Sequence, residues 1–182
     1  MEAPRLLIVE VDKMMANFLA RRFSEVSEVR FDVGITFSGE DALNMVSSSP
    51  FDVVLLEAEL PGIDGMETLK GIKQVDGDTQ AILLAEDPSP ESIMRALREG
   101  AYDFVQKPFE FEQLFETVRN ALERRELLLE RRRLISNLSE ANEKLARDNQ
   151  LLLESSNRAE AELKLRRTQI RAFTSYLESS NM

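Results

Sequence analysis

Every glycine and every proline of this 182-residue chain lies before residue 110, and none follows. The later stretch is built mainly from Glu, Leu, Arg, Asn, Ser and Ala. A backbone free of both helix breakers over that length reads as one long helix. The seven glycines and six prolines of the first part instead punctuate short apolar clumps, as turns do in a globular fold. The chain therefore divides near Phe109. We assign residues 1–124 to a globular domain and 125–182 to a helix continuous with the one that closes it.

The first part alternates strand and helix patterns. Arg5 to Val9 reads as a strand and Lys13 to Val26 as an amphipathic helix, followed by a strand from Arg30 to Thr36. Ser38 with Asp41 three residues on forms a capping box, hydroxyl and carboxylate both expected to satisfy free backbone N–H groups of a helix reaching Ser47. Val53 to Leu56 is a third strand, Met66 to Gln74 a third helix and Ala81 to Ala85 a fourth strand. Ser89 caps a fourth helix with Pro90 in its first turn, where a missing N–H is harmless. Asp103 to Gln106 is the fifth strand, and a fifth helix starts near Glu110. This order predicts an α/β fold: a central five-stranded parallel sheet, right-handed crossovers and helices on both faces.

Within that frame, Phe51 to Gly65 (FDVVLLEAELPGIDG) is a buried strand running into a carboxylate, Glu57, and then an acidic, Pro- and Gly-punctuated loop. Chemistry in open α/β sheets sits just past the carboxyl ends of the strands. The other strand ends carry Glu10-Val11-Asp12, Ala85 and Lys107-Pro108.

Composition narrows the chemistry. With no Cys and no His, the chain has no disulfides, thiol catalysis, Cys/His zinc sites or imidazole triads. A net charge of −10 argues against broad nucleic-acid binding. No apolar run approaches the roughly 20 residues that span a bilayer, and Met1 to Arg5 leads into a strand, not a signal peptide. A cytoplasmic protein without membrane association is expected.

The motifs LLIVEVD, DVVLLEAELPGIDG and GAYDFVQKPF, in this order, resemble the receiver domain of two-component response regulators over about Pro4 to Arg124. The resemblance implies a flavodoxin-like (βα)5 sheet. It also implies an aspartate ending strand three that accepts a phosphoryl group, two acidic residues after strand one that bind Mg²⁺, a Ser or Thr ending strand four, and a Lys before a Pro after strand five. Lys107 matches. Glu10 stands at the first acidic position, Val11 at the second, Glu57 at the phosphoacceptor position and Ala85 at the hydroxyl position, with Asp12 beside them. The family's output surface also places an aromatic switch residue where Phe104 stands, although a core phenylalanine is the plainer account.

Each departure weakens phosphoryl transfer. Mg²⁺ needs near-octahedral oxygen ligands, and Val11 supplies none. Glu57 is a methylene longer than Asp, a displacement larger than the ~0.5 Å that catalytic geometry tolerates. Ala85 offers no hydroxyl. Neither a cofactor nor a metal is expected, and no nucleophile–base pair or phosphate-cradling glycine loop suggests an enzyme. A direct Glu57–Lys107 salt bridge joining strands three and five is expected instead. Glu57 then either mimics a phosphorylated aspartate or belongs to an inert pocket.

The fifth helix opens with an apolar stripe, Phe111, Leu114, Phe115, Val118 and Leu122, suited to packing on the sheet. Two heptad rows follow. One is Leu128, Ile135, Asn142, Asn149, Ser156, Leu163, Ile170 and Leu177; the other is Leu138, Leu145, Leu152, Ala159, Arg166 and Phe173. They predict a parallel coiled-coil homodimer whose seam asparagines pair in register. The competing arrangement is a single helix folded back on its own domain. The basic run Arg124, Arg125, Arg131, Arg132 and Arg133 is interleaved with Glu123, Glu126 and Glu130, and is read as a solvated face with internal ion pairs.

Together these features predict a non-catalytic signalling adapter of the two-component type, acting through coiled-coil dimerisation and an unidentified signalling protein. The alternative is the regulatory part of a larger response regulator whose effector domain is missing here. Third comes a DNA-binding dimer acting through residues 124–133.

Overall fold

The computed structural model describes residues 3–26 and 29–180, with side chains described as far as Ser175. Leu177 of the expected seam lies outside those side chains. The elements are β1 (Arg5–Val9), α1 (Lys13–Glu25), β2 (Asp32–Thr36), α2 (Gly39–Ser48), β3 (Val53–Glu57), α3 (Gly65–Val75), β4 (Gln80–Ala85), α4 (Pro90–Arg98), β5 (Asp103–Gln106) and α5 (Phe111–Ser180). The strands pair in parallel in the order β2-β1-β3-β4-β5. The order reverses between β1 and β3, which sets a crevice at their carboxyl ends.

Alternate strand residues feed two cores, which is why the strands read as unbroken apolar runs. Leu6, Ile8, Val53, Leu55, Ile82 and Leu84 pack with Leu19 and Phe23 of α1 and Leu114 and Val118 of α5. Leu7, Val9, Val54, Leu56 and Leu83 meet Ala42, Leu69, Ile72 and Ala96 of the other three helices. Phe23 anchors the first core, edge-on to Phe31 at 5.7 Å and to Phe111 at 5.1 Å between ring centroids.

Local signals behave nearly as expected. Ser89 Oγ accepts from the Ser92 N–H at 3.1 Å, with Pro90 opening α4. Ser38 Oγ accepts from the Asp41 N–H, but the Asp41 carboxylate accepts from that hydroxyl at 2.9 Å and not from a backbone N–H. Aspartate is shorter than the Glu or Gln of a full capping box and stops at the hydroxyl. The second strand begins at Asp32, not Arg30, because buried Phe31 turns into the α1 core before pairing begins.

The chain separates into compact units at Arg131 and Arg132, later than the expected boundary at Arg124. Arg125 is 5% exposed and half-buried Leu128 lines a hollow with Lys73, Tyr102 and Arg124, so this stretch still belongs to the sheet domain. Among the described residues, no helix is long and apolar enough to cross a membrane.

Candidate functional site

Glu57 is the last residue of β3, paired with Leu84, and is 6% exposed. Glu10, one residue past β1, is 2% exposed. Lys107, one residue past β5, places its Nζ between them: it donates to Glu10 Oε2 at 2.7 Å and to Glu57 Oε2 in a shorter contact. The expected Glu57–Lys107 bridge is thus present, and Glu10 is a second partner that sequence reasoning did not assign. The other Glu10 oxygen accepts from the Asp12 N–H at 3.0 Å, which fixes the turn after β1. The Lys107 N–H donates to the Ala85 carbonyl at 2.7 Å, so Ala85 contributes backbone alone.

Two carboxylates share one ammonium. Burial above all, with Glu10 adding to it, lifts the Glu57 carboxyl above its ordinary 4.5 despite the pull of Lys107. Burial works against the Lys107 charge too, but the two glutamates outweigh it and hold Lys107 above 10.5.

A cavity of about 350 Å³ opens over the cluster, lined by Glu10, Val11, Asp12, Met15, Glu57, Glu59, Glu86 and Lys107. Glu59 and Glu86 were not anticipated; both flank strand ends already singled out, and their position was the available signal. Asp12 faces the cavity but spends its carboxylate on the start of α1, accepting from the Met14 and Met15 N–H groups at 2.7 and 3.2 Å. Asp12→Ala should therefore cost about 1 kcal/mol of stability, read from the urea midpoint, as loss of a helix cap does. Phe104 lies outside the cavity, half-buried against the second core.

The donor set does not fit Mg²⁺. Val11 is 46% exposed and carries no oxygen, and the Lys107 ammonium already occupies both buried carboxylates. Among the described residues, no group of three or more acidic side chains is arranged to hold a metal ion.

At the opposite sheet end, Arg125 departs from the expectation of a solvated basic face. Its Nε donates to Asp52 Oδ1 at 2.8 Å and its Nη2 to Asp76 Oδ2 at 2.9 Å. Arg125 continues the spacing of Val118 and Leu122, so it lies on the buried side of α5. Removing it breaks the basic run that a DNA-binding reading needs. Past Arg132, the helix leaves Ile135, Leu138, Leu145, Leu152, Leu163, Ile170 and Phe173 exposed on the single chain.

A five-stranded parallel sheet in this order, with acidic and lysine side chains converging at its carboxyl edge, is a flavodoxin-like receiver fold. The family model described as response regulator receiver domain matches residues 6–119, and the chain belongs to that family. It is 36% identical over 123 residues to the uncharacterized transcriptional regulatory protein YkoG of Bacillus subtilis (strain 168), covering 67% of this chain and 52% of YkoG. It is 43% identical over 91 residues to the C4-dicarboxylate transport transcriptional regulatory protein DctD of Pseudomonas aeruginosa, covering 50% of this chain and 20% of DctD. The signal receiver domain of an HD domain-containing protein from Pseudomonas fluorescens Pf-5 superposes with a TM-score of 0.66 at 29% identity, covering 72% of this chain and 95% of that one. The chain thus spans about half or less of the curated relatives named here.

Proposed function

We propose that this chain is a non-catalytic receiver of the two-component type, a signalling adapter that works through protein contacts. The observation carrying this reading is the Lys107 ammonium seated on both Glu10 and Glu57. Those carboxylates occupy the positions where the family places a metal ligand and a phosphoacceptor. The lysine supplies the neutralising charge a metal would bring, while Val11 and Ala85 withhold a ligand and a hydroxyl. In this reading the pocket is held permanently in one arrangement.

The test is incubation with acetyl phosphate and Mg²⁺ followed by mass spectrometry. No phosphate should be gained, and a stable phosphate adduct that vanishes in Glu57→Ala would falsify the reading. Glu57→Gln separates the two forms of the idea. Loss of partner binding in a variant that stays folded supports a phosphate-mimicking charge; no change in binding or stability marks an inert pocket.

The same reading makes the extension a parallel coiled-coil stalk. The exposed heptad rows support pairing, because a long apolar stripe on an isolated helix is unusual in water. Light scattering should give a dimer at micromolar concentration, and spin labels near residue 175 should report the two copies side by side. The partial coverage of YkoG favours a second reading, in which the chain is the regulatory part of a longer response regulator.

A further inference from the structure

The far part of the stalk is charged unlike the rest of the protein. Between Leu163 and Phe173 lie four cations, Lys164, Arg166, Arg167 and Arg171, and no carboxylate, in a chain of net charge −10. Arg166 stands in a heptad seam row, flanked along the seam by Leu163 and Ile170. On the single chain its guanidinium reaches Glu162 at 3.1 Å.

Pairing changes that environment. In a parallel, in-register coiled coil each seam side chain inserts into a hole formed by four residues of the facing helix. For Arg166 the heptad spacing makes that hole Leu163, Arg166, Arg167 and Ile170 of the second copy. Four guanidinium groups then gather around the two-fold axis. Only the two Glu162 carboxylates, one row over, stand close enough to offset them. The layer keeps a surplus of two positive charges between two apolar layers that exclude water. Like charges so placed repel strongly.

We propose that this layer is a binding site for a small divalent oxyanion, completed only when two copies pair. The inference rests on the coiled-coil reading above. A guanidinium presents its N–H donors as a planar fork that matches two oxygens of a phosphate-like anion, so facing arginines clamp it from both sides. The anion's charge matches the surplus. Binding and pairing are therefore linked: the anion favours the dimer, and the dimer creates the site.

Sedimentation equilibrium on the full chain tests this, comparing chloride with inorganic phosphate at one ionic strength and pH. The dimer dissociation constant should fall by about tenfold once phosphate reaches roughly ten times its own dissociation constant. Arg166→Leu should pair tightly in chloride and ignore phosphate. Arg166→Lys should keep the repulsion and lose most of the phosphate response, because an ammonium lacks the fork. A wild-type dimer indifferent to phosphate overturns the site while leaving the coiled coil standing. A phosphate response that survives in Arg166→Leu also overturns it, as a general salt effect. Should neither wild type nor Arg166→Leu dimerise in either buffer, the coiled-coil reading fails and takes the site with it.

Discussion

Replacing Lys107 with alanine is expected to cost roughly 3–5 kcal/mol at neutral pH, the usual loss when one member of a buried ion pair is removed. The lysine side chain is 15% exposed and its two partners less, so water screens the cluster poorly. Without the ammonium, Glu10 and Glu57 face each other across the β1–β3 edge as uncompensated anions. Urea unfolding of both proteins measures the difference. A loss under about 1 kcal/mol would mean that the bridge behaves as a surface pair. The deficit should shrink in acid, since protonating either glutamate removes the repulsion. In the wild type, Glu57 has a raised folded value, so its contribution is full below 4.5 and is lost as pH rises through that folded value. Lys107, raised above 10.5, contributes fully up to that pH and loses its contribution as pH rises through its folded value. Both signs make the wild type weaken toward alkali.

Arg125→Ala is expected to be nearly as damaging, roughly 3 kcal/mol, at the lower end of that range because Asp52 and Asp76 are 29% and 28% exposed and recover some hydration. Arg125→Lys should rescue little, because a single ammonium cannot reproduce a fork that reaches two separate carboxylates. The change has a pH signature. Burial alone would raise the Asp76 carboxyl, but the Asp78 N–H and the Arg125 guanidinium hold it below 3.8. Its contribution is therefore full above 3.8 and is lost as pH falls through the lowered folded value. In Arg125→Ala this acid-side loss should flatten. An unchanged acid limb in the variant would show that Arg125 does not set the Asp76 carboxyl.

The strand ladder was legible because a sheet covered on both faces leaves its strands as unbroken apolar runs between turn residues. Val53 to Leu56 and Ala81 to Ala85 could be little else. Ser89 and Pro90 marked a helix start through chemistry confined to one turn. The Glu57–Lys107 bridge was legible from the strand ends, but the second partner of Lys107 and the pairs of Arg125 escaped. Glu10 and Lys107 lie far apart in the chain, and only the fold brings their side chain tips together. Arg125 was misread because its charge suggested a solvated run with its neighbours. Its spacing from Val118 and Leu122 carried the better information, placing it on the stripe that faces the sheet. The Asp41 cap failed at a finer grain, where one methylene decides which acceptor reaches which donor.

The two polar clusters also restrict how α5 can carry a signal. The helix starts four residues after Lys107, and Arg125 lies 14 residues further along, a rise of about 21 Å. One cluster is tied at each end of the sheet. Sliding the helix by a single turn, about 5.4 Å, would pull the Arg125 guanidinium out of reach of both aspartates. Piston-like translation is therefore closed to this segment unless the Arg125 cluster breaks. Small rotations or bends, which hydrogen bonds of 2.8–2.9 Å can follow, remain open. For this segment of α5, torque strains the two clusters less than thrust does.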